Sequence, residues 1–406
     1  MKIGSLIRTL AVASSTLVAM PLLVMAQHGQ KKNVVHFPHY AVTDLGVLGT
    51  GTNSTGFDMN NVGWVAGSSN LTAGGPQHAF VWYGQGGLKD LGTLDGAACP
   101  LCNSAADGPN LLRQTAIGSE ISQPDPDGED FCAYGTHLQC RGVVSHNGKL
   151  VALRSLPGGR NANAFGINDL GQLTGFSENG VRDSTCAGTT PFQVFRFEAV
   201  EWEPNGDIKE LPPLKKMGDT VAFALGMNNL GQVVGSSGTC ATQGLPPANV
   251  TGLHAVLWDR NGTPTYLGTL GDAANTAFNS GASINNLGQV VGTSQFTDGT
   301  VHSFVWSKGT GMQGLEPLPG AFATIAGCCR TINDHGEVVG FAFDGTGSHA
   351  VVWINKKIRD LNTLIPAGSN LYLLNADAIN NSGEIVGQAC VLPDCTEFHA
   401  FRATPE

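Results

Sequence analysis

Charge is scarce in this sequence. Of its 406 residues only 13% are Asp, Glu, Lys or Arg, and the formal net charge is -10. The Lys and Arg residues form no stripe, so the electrostatic footprint of phosphate-backbone binding is missing and nucleic acid is excluded as a partner. After residue 26 there is no apolar run of the ~20 residues that a membrane helix needs, so the mature chain has no membrane span. Also missing are a Ser-His-Asp order, paired catalytic carboxylates, a phosphate loop and a nucleotide fingerprint.

The long apolar stretch that does exist comes first. Lys2 and Arg8 flank the start of a run from Leu10 to Val24, and Val24-Met25-Ala26 precedes Gln27. That is the pattern of a cleavable secretory signal over residues 1–26, and residues 27–39 read as a polar linker. Export to the cell envelope or beyond gives an oxidising compartment. The ten cysteines, Cys99, Cys102, Cys132, Cys140, Cys186, Cys240, Cys328, Cys329, Cys390 and Cys395, therefore read as disulfides rather than metal ligands.

Repetition is what the sequence has in abundance. SINNLGQVVGTS, from Ser283 to Ser294, returns from Met59, Ile167, Met227, Ile332 and Ile379. Each unit has four short segments. Segment a is a small-residue strand ending at Ile-Asn or Met-Asn, and segment b is the GQVVG after the turn. Segment c is HAFVW-like, as at His78–Trp82, and segment d is DLGTL-like, as at Leu88–Leu94. Short β-branched and aromatic runs separated by Gly and Asn are strand and hairpin composition, not helix composition. A turn closed by a left-handed Gly288 fits a–b, and Asn147-Gly148, Asn205-Gly206 and Asn261-Gly262 mark c–d hairpins.

The motif asparagines 60, 168, 228, 285, 333 and 380 lie 47 to 60 residues apart, except for a gap of 108 that hides a degraded unit. Its a strand is placed near Thr115–Ser119 and its b strand near Phe131–Gly135, with c and d from Gly142. Seven units at a period of about 50 match propeller blades. A first d segment, Tyr40–Gly49, precedes any a strand, while the last unit stops at His399–Arg402 without a d. The predicted fold is all-β: a seven-bladed β-propeller of four-stranded blades over 40–403, its N-terminal strand completing the last blade, with 404–406 as a C-terminal tail.

In such blades the b–c and d–a links share one end. The long links are of these kinds: Ser68–Gln77, Phe176–Phe197, Ser236–Leu253 and Gln388–Phe398, then Asp95–Gln114, Glu316–Gly327 and Ile365–Asn375. Every cysteine falls in them or at their flanks, so one face is plain and the other is built from loops that need bracing. Cys132/Cys140 and Cys390/Cys395 read as local bridges, and Cys186 with Cys240 as a link between consecutive units. Cys99 and Cys102 read as a loop disulfide, local or to another cysteine. A Cys328-Cys329 bond would be strained, so partners elsewhere are at least as good.

HAF at 78–80 and 399–401, with the repeated INNxGQVVG and DLGTLG in fixed order, resembles the bacterial extracellular repeat family named HAF over nearly everything after Tyr40. The second unit departs from that pattern, as do Glu198 in place of His and Arg402 in place of Trp. The resemblance implies an exported repeat protein and brings no catalytic residue.

Three residue sets are candidates for chemistry. His78, His254, His302, His349 and His399 recur at one register in separate units, so they cannot converge on one metal and read as structural. Asp125, Asp127 and Asp130, in DPDGED, gather hard oxygen ligands as calcium sites do, without the EF-hand pattern. Beyond that Ca2+ no cofactor is expected. Arg330 and Asp377 replace the Phe or Leu of segment a in consecutive units. They read as a buried pair or a ligand-contacting spot at the channel mouth. The expected function is a monomeric binding scaffold whose loop-rich face takes a macromolecular partner, protein or extracellular glycan. The alternative is a hydrolase or lyase acting on extracellular polymers at the channel mouth, which needs acid and base groups from different units converging on one substrate atom.

Overall fold

The computed structural model describes residues 35–186, 193–240, 253–271, 279–296, 300–327 and 330–406. The signal read over 1–26, the start of the linker and the pair Cys328-Cys329 lie outside the described residues.

The asparagine turn is the local rule that builds the rest. Asn285 Oδ1 accepts the backbone N–H of Leu287 at 3.1 Å and of Gln289 at 2.9 Å. The turn folds Asn279–Ile284 back on Val290–Gln295, with a one-residue register slip between Gly281 and Ser283. Beside this bulge a Cβ on Gly292 would lie 1.9 Å from Ser280 O, which is why the last glycine of GQVVG recurs. The same slip occurs at Gly56/Asp58, Ala164/Gly166, Ala224/Gly226 and Ala376/Ala378.

Four-stranded antiparallel sheets follow one another along the chain, each in sequence order. They run from Ser54–Met59 to Lys89–Gly92, Ser104–Pro109 to Lys149–Ala152, Ala162–Ile167 to Ile208–Leu211 and Val221–Met227 to Pro264–Tyr266. An eight-stranded sheet holds two more such runs, Asn279–Ile284 to Gly311–Gly314 and Ala323–Ala326 to Lys357–Asp360, joined by the parallel pair His302↔Thr324. The last sheet contains Leu371–Ile379, Ile385–Val391 and Phe398–Pro405. Its fourth member is Tyr40–Gly46, antiparallel from Tyr40↔Pro405 to Gly46↔Ala400. The described residues are all-β apart from short 3-10 turns.

Three boundaries differ from the sequence reading. The degraded unit has its a strand at Ser104–Pro109 and its b strand at Gln114–Pro124, so Thr115–Ser119 belongs to b and Phe131–Gly135 to a link. Its turn is Asn110–Gln114. Ile117 stands where other units have the crowded glycine, and the slip has moved one residue, to Gly108 at φ +69. Thr404 and Pro405, read as tail, pair within the last strand. Strand Ala323–Ala326 begins inside the segment read as the Glu316–Gly327 link.

Packing is between sheets rather than around one centre. The buried indoles of Trp202, Trp258 and Trp353 donate to Arg154 O, Pro212 O and Glu316 O at 2.8, 2.8 and 2.7 Å, each carbonyl belonging to the preceding unit. In the last unit the register corrects the sequence reading: Ala403, opposite Ile385, takes the Trp position, and Arg402 stands one residue earlier, where the first unit has Val81. Arg402 pairs with Glu384 and lies 5.5 Å from the centroid of the Trp82 ring.

Candidate functional site

The turn asparagines close on themselves. The Nδ2 atoms of Asn60, Asn110, Asn168, Asn228, Asn285, Asn333 and Asn380 each donate to the backbone carbonyl of the next, at 2.9 to 3.5 Å, and Asn380 returns to Asn60 O at 3.3 Å. All of them are buried. The recess that remains at this end is about 40 Å³ and is lined by Asp169, Asn229, Asn286, Asp334 and Arg330 among others. That is room for a few waters, not for a sugar ring or a peptide.

Arg330 lies across this circle. Its Nη1 donates to Met59 O at 3.3 Å and its Nη2 to Ile167 O at 3.1 Å, with Nε 3.5 Å from Asp58 Oδ1. The expected Arg330–Asp377 pair is therefore corrected: Asp58 supplies the opposing charge, and Asp377 accepts from Asn375 Nδ2 at 2.6 Å. Burial pushes the Asp377 carboxyl up to about 7, against the Asn375 bond. Burial also raises Asp58, against the pull of Arg330. No motif marks Asp58, but a carboxylate there stands out, since the same position holds Gly166, Gly226, Ser283 and Ala378 in other units.

The acidic loop braces itself. Asp125 Oδ1 accepts from the N–H of Asp127 at 2.9 Å and of Glu129 at 3.1 Å. Asp127 pairs with Arg160 at 2.7 Å and with Arg182, and Asp130 accepts from Gly135 N at 3.0 Å. The three carboxylates are not brought together, and among the described residues no group of three or more His, Cys, Asp or Glu could hold a metal ion. Glu129 is buried between them, accepting from Val194 N at 2.5 Å and Phe195 N at 2.9 Å. Burial, then the adjoining Glu178, pushes Glu129 up to about 8.

Most of the repeated histidines clasp carboxylates. His78 Nδ1 lies 3.0 Å from Asp90, His399 2.9 Å from Asp44 and His349 3.5 Å from Asp360, all in segment d, while His254 lies 2.9 Å from Asp219. His302 instead faces the Thr300 hydroxyl at 3.1 Å. Where Glu198 replaces His, segment d carries Glu210. Burial, then that second charge, pushes Glu198 up to about 8, so an acid that keeps its proton at neutral pH fills the place.

The opposite end carries the links. Disulfides join Cys99–Cys102, Cys132–Cys140, Cys186–Cys240 and Cys390–Cys395 there. A recess of about 300 Å³ opens on that end between the first two units, lined by Asn53, Thr55, Phe57, Ser68, Asn70 and Tyr134 among others, none of its lining residues charged. Sequence reasoning has no handle on it, because its walls come from strand, link and neighbouring-unit positions that share no motif.

No protein-family model matches the chain, and no curated protein does. Among solved structures it is similar to the β-propeller domain of the Trilobed protease from Pyrococcus furiosus, at TM-score 0.46 and 8% identity, over 91% of this chain and 95% of that one. It is also similar to the Pyrococcus horikoshii acylaminoacyl peptidase, at TM-score 0.44 and 9% identity, over 87% of this chain. It spans only about half, 49%, of that peptidase. A third is the Aleuria aurantia lectin, at TM-score 0.39 and 10% identity, over 78% of this chain and 98% of that one.

Proposed function

We propose that the chain is a secreted binding scaffold of the HAF-repeat kind, a seven-bladed β-propeller closed by its N-terminal strand. Its loop-rich, disulfide-braced face takes an extracellular protein or glycan. The blade count is supported by one circle asparagine in each four-strand run, and the closure by the pairing of Tyr40–Gly46 with Phe398–Pro405. The observation that carries the functional reading is the difference between the two ends. Among the described residues, the four disulfides and the larger recess belong to the link end, while asparagines and Arg330 close the turn end. Cystines fit an oxidising compartment, and among the described residues no helix is long and apolar enough to cross a membrane.

The rival site at the channel mouth draws no support from this geometry. Arg330 and Asp58 fill the centre there, and the raised acids Glu129 and Asp377 are buried away from any substrate. The test is a binding screen of the oxidised protein from Gln27 onward against extracellular glycans and envelope proteins. It is repeated with the Leu71–Pro76 and Ser184–Val194 links shortened. Binding that weakens with either deletion supports the face assignment; binding unchanged by both overturns it.

A further inference from the structure

The larger recess has a chemistry of its own. About 300 Å³ is at the small end of ligand pockets, the size for one ring rather than a chain. With no charged side chain in its lining, it offers nothing to offset the desolvation of a phosphate, carboxylate or ammonium. Its polar groups are oriented in advance. Asn70 Oδ1 is taken by the backbone N–H groups of Thr52 at 2.9 Å and Asn53 at 2.8 Å. Gln388 Nε2, reaching over from the last sheet, donates to Asn53 Oδ1 and Thr55 Oγ1, both at 2.8 Å. With those acceptors occupied, the Nδ2 groups of Asn53 and Asn70 and the hydroxyls of Thr55 and Ser68 remain to meet ligand oxygens. Phe57 and Tyr134 add aromatic surface, and burial keeps the Tyr134 phenol protonated.

Neutral donors, hydroxyls and aromatic faces on a strand-built wall are what a neutral sugar ring requires: hydrogen bonds to its hydroxyls and packing against its C–H face. We propose that this recess is a subsite for a neutral pyranose, a deepening that rests on the scaffold reading.

The probes are methyl glycosides of neutral hexoses, with a methyl uronide as the charged comparator, titrated into the oxidised protein and followed by calorimetry. The expected result is saturable binding of at least one neutral glycoside and weaker binding of the matched uronide. Gln77→Trp, which fills the recess from a half-buried position, abolishes it. Tyr134→Phe and Thr55→Val each remove one hydroxyl, weaken it by about 3- to 10-fold, and report on the site even if Gln77→Trp fails to fold. Glycoside binding unaffected by these changes, or absent in a protein that still binds an intact glycan or protein through its links, overturns the recess and leaves the scaffold standing. Binding of nothing in either screen removes both.

Discussion

Asn285 concentrates several bonds in one buried side chain. Its oxygen holds two turn N–H groups, and its nitrogen bonds Gln289 Oε1 at 2.8 Å and Asn333 O at 2.9 Å, the latter in the next unit. Asn285→Ala is expected to cost about 2–4 kcal/mol, because buried partners are left unsatisfied, measured as a fall in urea midpoint at unchanged slope. Gly288 is different: at φ +74 its Cβ position is uncrowded, so Gly288→Ala should cost about 1–2 kcal/mol from the left-handed backbone alone. Arg113 occupies the equivalent place at φ +59, with its guanidinium 5.3 Å from the Trp64 ring centroid and 5.6 Å from that of Tyr83. Its stacking, roughly 0.5–1 kcal/mol, offsets much of that strain, so Arg113→Gly should shift stability by less than about 1 kcal/mol. This also explains why the second unit is hard to read. Pro109 and Arg113 erase the motif, yet Asn110 still accepts from Leu112 N at 3.0 Å and Gln114 N at 2.9 Å.

Strands and links differ in how far sequence exposes them. Segments a to d are legible because each strand repeats a pattern set by face alternation and a turn with fixed chemistry. The disulfides between the eight described cysteines are legible from proximity in the chain or in consecutive links, and Cys186–Cys240 is the informative one. It ties links of neighbouring units across a separation of 54 residues. On loop entropy its loss should cost about 4 kcal/mol, against about 2 kcal/mol for Cys390–Cys395 with a separation of 5. Paired Cys→Ser variants compared by thermal unfolding would show this, and equal effects would contradict it. The Asp58–Arg330 pair is not legible in the same way. It crosses the circle from distant units, so neither strand periodicity nor local spacing points to it. The 300 Å³ recess is hidden for a related reason: its strand residues are joined there by Asn103 and Tyr134 of the neighbouring unit, whose links follow paths no repeat dictates.

For the molecule as a whole, three buried carboxyls set a pH dependence. Glu129 and Glu198 move from an ordinary 4.5 to about 8, and Asp377 from 3.8 to about 7. Each holds its proton longer folded than unfolded, so the fold binds more protons than the unfolded chain between these limits. Their contribution is complete below pH about 4 and is lost as pH rises through about 7 to 8, at up to about 1.4 kcal/mol per pH unit for each group. Melting temperature should therefore fall from pH 5 to pH 8.5, and Glu129→Gln should flatten that slope. A rising or flat profile in the parent protein would count against it.

Everything about the two ends presumes a closed ring, and the most direct test is hydrogen exchange of the amides in Tyr40–Gly46. A strand that completes the last sheet should be protected to the same opening free energy as Phe398–Pro405, its partner, and both should open together. Exchange of Tyr40–Gly46 at the rate of a frayed terminus while Phe398–Pro405 stays protected would contradict the closure and the assignment of faces built on it.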